Sequence, residues 1–239
     1  MGSSRFPGKP MEKIAGKPMI RHVLENVLKN KLLTKVSVAT CDKEIAEYVS
    51  SIGGNYTMTS ASHQRASDRC AEALISIEKE INIKFDIVVM VQGDEPMINH
   101  QMITQAVKPM IDDKNIMITN LMGKIKSTEE FYDRNCIKVV CDQNNDALYF
   151  SREPIPTTVN REKIIPNKQI CVIPFRRDYL FEYLALTPTP HEIAESIDML
   201  RILEHGDKVR MVPTDYKTYA VDTREDLERV EKMLKQVPE

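Results

Sequence analysis

The chain has 239 residues, 42% hydrophobic and 28% charged, with a formal net charge of −2. That length supports one large α/β domain or a domain with a small lobe, and the near-neutral charge argues against a broad nucleic-acid surface. No apolar run approaches the ~18 residues of a membrane span, so no membrane insertion is expected. Residues 1–18 are polar and rich in glycine and proline, without the pattern of a secretory leader. Five cysteines (Cys41, Cys70, Cys136, Cys141, Cys171) lie without metal-ligand spacing. All but Cys70 fall in or beside segments that read as strands, which suits buried, reduced thiols of a cytoplasmic protein.

In chain order, Met19, Val23, Leu24, Val27, Leu28 and Leu32 form a helical stripe over 18–32. KVSVAT (35–40) reads as a strand, and a helix follows through Ile45, Val49 and Ile52 until Gly53-Gly54 stops it. A short strand, NYTMT, precedes a helix over about 67–80. FDIVVMVQ (85–92) is a near-continuous apolar run, the mark of a strand covered on both faces. A helix over about 100–112 and the strand IMITNLM (116–122) continue a βαβ rhythm, which predicts a mostly parallel, doubly wound sheet.

After residue 130 the pattern changes. CIKVVCD and ALYFSR flank the polar turn 143–146, predicting an antiparallel hairpin. Residues 153–168 read as a loop or arm, and QICVIPF as one strand. Thr187-Pro188-Thr189-Pro190 introduces a helix running to about His205, closed by Gly206. KVRMVPT and a helix over about 223–236 end the chain. The expectation is a single domain over 1–239, with a hairpin and arm lobe at about 133–175.

GSSRFPGKP (2–10) brings glycines and two cations together. It is not a Walker loop: Gly2 and Gly8 are six apart, and Pro10 follows Lys9 where a hydroxyl residue is required. A segment whose N–H groups, with Arg5 and Lys9, surround a triphosphate is one reading; a disordered tail is the other. Asp94 follows an apolar strand and so emerges at the sheet's carboxyl edge, where open α/β sheets bind ligands; a turn role is the alternative. Asp222 occupies a second edge position, although Asp222 or Thr223 could instead cap the last helix.

GSSRFPGKP with IAGKPMI resembles the signature loop of the sugar nucleotidyltransferases, and more narrowly that of the 3-deoxy-manno-octulosonate cytidylyltransferase family, A-[ST]-[ST]-R-[LF]-P-G-K-P-L. VQGDEPMI (91–98), NCIKVV with ALYFSR (135–152) and AVDTREDLERV (220–230) extend the resemblance over nearly the whole chain. It implies a Rossmann-like nucleotidyltransferase fold and a Mg²⁺-dependent transfer of CMP from CTP to a 3-deoxy-2-ulosonic acid. The resemblance further implies that pyrophosphate is released and that the product serves cell-envelope polysaccharide. It also implies a strand ahead of the loop, ending Pro-Ala-Arg, which this sequence does not contain; a misplaced start or a truncation is the expectation.

By the same resemblance, Asp94 and Asp222 hold the metal, and Arg5 and Lys9 act with them in catalysis. Gly2, Ser3, Ser4, Arg5, Lys9, Arg69 and Gln92 contact the nucleotide. HQRASDRCAEA (63–73) keeps Arg69 of the family's HxSGT[DE]RxAEA but carries Arg65, Ala66 and Ser67 for Ser-Gly-Thr. Arg152, Gln169, Glu195, Asp198 and Arg201 contact the acceptor, with Glu192, Glu195, Asp198 and Arg201 sharing a helix face. Gln169, Ile173 and Pro174 replace His, Tyr and Gly of the family pattern, which leaves the sugar open. A cytidylyltransferase for another acidic sugar or a phosphorylated small molecule, and a degenerate nucleotide-binding protein, are the alternatives. A homodimer through the hairpin and arm (145–168) is also implied.

Overall fold

A computed structural model describes residues 6–157, 159 and 164–236. In chain order the elements are β1 (Lys13–Ile14), β2 (Lys17–Pro18), α1 (Met19–Leu28), β3 (Val38–Thr40), α2 (Lys43–Ser51), β4 (Tyr56–Met58), α3 (Ala66–Ile81), β5 (Ile87–Val91), α4 (His100–Asp112) and β6 (Thr119–Lys124). There follow α5 (Thr128–Tyr132), β7 (Lys138–Cys141), β8 (Ala147–Ser151), β9 (Asn167–Ile170), β10 (Val172–Arg176), α6 (Arg177–Ala185), α7 (Pro190–Glu195), α8 (Met199–Glu204), β11 (Arg210–Thr214) and α9 (Arg224–Gln236). The described residues gather into two compact units. The first takes in those up to 85, 90–104 and those from 217 on; the second takes in 86–89 and 105–216.

In the first unit β3 and β4 pair in parallel, with α2 as the crossover that a parallel pair requires. Leu24 of α1 packs with Ile45 and Val49 of α2, flanked by Met11, Val36, Val38 and Ile52. The chain turns beneath this cluster at Gly54, where a Cβ would stand 2.7 Å from Leu24 and 2.8 Å from Val49 side-chain carbons. Only glycine fits there. Helix α1 ends earlier than its apolar stripe suggests: Lys29 N–H bonds back to Asn26, and Leu28 and Leu32 are exposed.

In the second unit a five-stranded sheet runs β11-β6-β9-β7-β8. β11 pairs with β6 in parallel, while β9 runs antiparallel to both β6 and β7. β7 and β8 form the expected antiparallel hairpin. Phe131, Val139, Phe150, Ile170, Val172, Phe175 and Tyr183 are buried here. Lys138 is fully buried, and its ammonium donates to the carbonyls of Asp133 (2.9 Å), Cys136 (2.7 Å) and Arg152. Burial holds its pKa below the ordinary lysine value.

Several expectations are corrected. QICVIPF is two strands broken at Cys171: β9 joins the five-stranded sheet and β10 pairs with β5. The buried Asn120 amide donates to the carbonyls on both sides of the break, Ile170 (2.7 Å) and Val172 (3.4 Å). In β5 only Met90 is buried and the other residues are half-buried, because among the described residues β5 pairs with β10 alone. Among the described residues none of the five cysteines forms a disulfide, and all are half-buried, where burial is expected of those beside strands. Among the described residues no helix is long and apolar enough to cross a membrane.

Candidate active site

The first unit brings Lys9, Asp94 and Asp222 together from positions far apart in the sequence. Gly8 adopts a left-handed conformation (φ 76°), which launches the short 3-10 turn Lys9–Met11 with Pro10 at its first positions. The turn carries the Lys9 side chain inward, leaving it 10% exposed. Its ammonium lies 2.8 Å from Asp94 Oδ2 and 3.4 Å from Asp222 Oδ1.

Asp94 follows β5, as read from the sequence; Asp222 comes just before α9 but well past the end of β11 (Arg210–Thr214), so no strand delivers it to the sheet edge expected for it. Val221 N–H donates to the Asp94 carbonyl at 2.9 Å and ties the two segments together. The cap of α9 is built from Thr223 and Asp226. Asp226 N–H donates to Thr223 Oγ1, and the Asp226 carboxylate accepts from the N–H groups of Asp222 and Thr223 and from the Thr223 hydroxyl. With that cap made by its neighbours, the Asp222 carboxylate turns to Lys9.

An ammonium between two carboxylates is a stand-in for a cation, and it tests the pair's fit to a divalent metal. Mg²⁺ takes oxygen ligands, commonly one or two carboxylates completed by waters and substrate phosphates. Two carboxylates meet that need. Among the described residues no group of three or more His, Cys, Asp or Glu gathers as an all-protein metal cage.

Glu95, beside Asp94, does something different from its neighbour. It is buried, and its carboxylate accepts from the Thr218 hydroxyl, also buried. Sequence reasoning passed over this pair because nothing in the spacing of 95 and 218 announces a contact.

Gly2, Ser3, Ser4 and Arg5 lie outside the described residues. Arg69 extends from α3 to Thr59 Oγ1 and the Ser60 carbonyl. One turn on, Glu72 accepts from Ser60 N–H and from His63. These bonds hold Glu72 below the usual carboxylate range, the Ser60 N–H foremost. Arg69 and Glu72 thus pin the loop 59–63 onto α3. Ser67, in the first turn of α3, is buried with a hydroxyl that has no partner among the described residues. Gln92 is half-buried at the end of β5.

In the second unit the predicted helix of 190–205 is broken. α7 stops at Ser196, which is left-handed (φ 53°), and Asp198 opens α8. The cause is Arg152: its Nε donates to the Glu195 carbonyl (2.6 Å) and its Nη2 to the Ser196 carbonyl (3.2 Å). A continuing helix would direct those carbonyls to Met199 and Leu200. Glu195 in turn accepts from Ser151 Oγ (2.7 Å) and Arg152 N–H (2.8 Å).

The shared acidic face is therefore absent. Glu192 and Arg201 instead form a buried two-pronged ion pair, at 2.7 and 2.6 Å, with the Arg201 guanidinium 5.1 Å from the Tyr183 ring centroid. Arg152, Glu195 and Arg201 direct these bonds to protein groups. Gln169 is half-buried, and its amide donates to Asn120 Oδ1 at 2.6 Å.

Comparison with known proteins agrees with this architecture. A family model described as cytidylyltransferase matches residues 1–210. A protein of Geobacter metallireducens named 3-deoxy-manno-octulosonate cytidylyltransferase is 41% identical over 239 residues, covering 95% of this chain and 92% of the relative. A namesake from Syntrophus aciditrophicus is 41% identical over 233 residues, covering 97% and 93%. Among solved structures, CMP:2-keto-3-deoxy-manno-octonic acid synthetase complexed with CTP superposes with a TM-score of 0.87 at 36% identity, covering 98% of this chain and 95% of that one. A thymidylyltransferase structure from Bacillus anthracis, 13% identical with a TM-score of 0.64 and covering 99% and 93%, shares the fold. The chain belongs to the 3-deoxy-manno-octulosonate cytidylyltransferase family, with its α/β nucleotidyltransferase fold.

Proposed function

We propose that the protein transfers CMP from CTP to the anomeric hydroxyl of 3-deoxy-manno-octulosonate or a close relative, releasing pyrophosphate and supplying an activated sugar acid for cell-envelope polysaccharide. The observation that carries this reading is the Lys9 ammonium held between Asp94 and Asp222. The names of the relatives and the CTP in the neighbouring structure support it.

The acceptor hydroxyl attacks the α-phosphorus as the bond to pyrophosphate breaks. Such transfers need positioning and charge neutralisation more than covalent help from protein. Mg²⁺, held by Asp94 and Asp222, would supply charge neutralisation at the phosphates. With that pair taken by the metal, Lys9 would be released toward the triphosphate and offset the charge that grows on pyrophosphate, with Arg5 as its companion. Gly2, Ser3, Ser4, Arg69 and Gln92 complete the proposed nucleotide contacts. Of the acceptor residues, Gln169 is the strongest candidate, because Asn120 fixes its amide. The proposed homodimer draws support from exposed apolar residues in and beside the hairpin and arm: Leu148, Ile164 and Ile165.

The test is pyrophosphate release from CTP with a panel of sugar acids, with and without Mg²⁺. Turnover with 3-deoxy-manno-octulosonate that disappears on chelation, and falls by at least 100-fold in Asp222→Asn, is expected. Wild-type turnover in Asp222→Asn overturns the assignment. A clear preference for another acid would move the substrate to that acid, a possibility raised by Gln169, Ile173 and Pro174 in place of the family's His, Tyr and Gly.

A further inference from the structure

Successive residues of the segment after β5 divide their labour. Asp94 turns to Lys9 with its carboxylate 21% exposed, whereas Glu95 is 4% exposed and turns inward to Thr218, itself 3% exposed. Four residues beyond Thr218 lies Asp222. The two segments are thus joined twice, by the backbone bond Val221 N–H to Asp94 carbonyl and by the side-chain bond Thr218 to Glu95. Around the join, Tyr219 and Met97 pack against Phe6, Ile14, Met19, Val221 and Val230.

A single backbone bond fixes one point and leaves a segment free to pivot about it. A second bond three residues away removes that freedom, and here the two bonds, one backbone and one side-chain, join the same two segments that carry the carboxylates. A buried carboxylate bonded to a buried hydroxyl also resists slippage, because parting the two gives up a charge-assisted hydrogen bond in a low-dielectric place. We propose that Glu95 and Thr218 are a positioning pair that sets the separation of Asp94 and Asp222, and through it the affinity for the divalent cation. The inference rests on the reading of Asp94 and Asp222 as cation ligands. Neither Glu95 nor Thr218 touches the reacting atoms in it. Loss of groups that orient metal ligands typically weakens metal binding by about 10- to 100-fold.

The test is Mn²⁺ titration, followed by electron paramagnetic resonance, of the protein saturated with α,β-methylene-CTP, which cannot turn over. Thr218→Val removes the donor at constant size, Thr218→Ser restores it, and Glu95→Gln keeps an acceptor. The expected result is a Mn²⁺ dissociation constant raised about 10-fold or more in Thr218→Val, with Thr218→Ser and Glu95→Gln within a few-fold of the parent. If Thr218→Val does not fold, as judged by its thermal transition, Thr218→Ala is read in the same way. Unchanged Mn²⁺ affinity in the folded variant overturns the positioning pair while Asp94→Asn and Asp222→Asn still abolish binding. If those two substitutions leave Mn²⁺ binding intact, the reading of the site falls and the positioning pair falls with it.

Discussion

The Asp226 carboxylate accepts the backbone N–H of Asp222 at 3.1 Å while Thr223 Oγ1 accepts the N–H of Asp226 at 3.2 Å, so the cap of α9 also fixes the peptide that carries Asp222. Asp226→Ala should therefore cost more than helix stability. The expected loss is about 1 kcal/mol in denaturant unfolding, together with a fall in CTP turnover that Thr223→Ser does not reproduce. Parallel unfolding and pyrophosphate-release assays check it.

Lys9 is buried against two carboxylates, and its removal leaves two negative charges facing each other. Lys9→Met should lower CTP turnover by about 100-fold, the order found when one stabilising donor is lost. Free Mg²⁺ should partly offset the loss of stability, since a cation answers the same repulsion. Melting curves at increasing Mg²⁺ for both proteins measure this.

Glu192 and Arg201 are a buried pair with exposures of 1% and 10%. Arg201→Met alone removes the counter-ion of a buried carboxylate and should destabilise the fold by about 3–5 kcal/mol. The double variant Glu192→Gln with Arg201→Met should recover much of that loss, because no buried charge is then left without its counter-ion. A double-mutant cycle in urea gives the answer.

Glu204 accepts from the N–H groups of His191 and Glu192 at the start of α7 and from the His191 ring at 2.7 Å. Burial works against its ionisation, but the bonds from the His191 ring and from the N–H groups of His191 and Glu192 outweigh it and bring the carboxyl down to about 2 from 4.5. A depressed carboxyl stabilises the fold above its unfolded value and loses that contribution as pH falls toward the folded one. The parent should lose stability between about pH 4.5 and 2, and Glu204→Gln should lose less over that window. Melting temperatures across the range report the difference.

Lys138→Met removes the donor of three backbone carbonyls in a fully buried place. Hydrogen bonds from a charged donor contribute about 1.5–3 kcal/mol each, and among the described residues only the Asp133 carbonyl, of the three, has a second bond, from Cys136 N–H. A loss of about 3 kcal/mol or more in urea unfolding is expected.

What the sequence revealed follows from where the determining forces are local. The hairpin of β7 and β8 announced itself through two strand-like runs and a polar turn. Asp94 and Asp222 could be placed at the ends of their elements from apolar runs and helix signals alone. The break of 190–205 could not, because its cause is Arg152, far away in sequence. Helix α6 was missed because it starts directly after β10, with Arg176 at its N-cap and no capping side chain to mark the change. Its buried Tyr179, Leu180 and Tyr183 have helical spacing and were the available signal. Glu95 with Thr218 was invisible for the same reason as Arg152: the partners are 123 residues apart.

The break at Cys171 constrains how the chain can change in length. β9 and β10 are separated by one residue and belong to different ladders. An insertion or deletion there has no slack to absorb it, and a one-residue slip on either side would exchange inward and outward side chains along that strand.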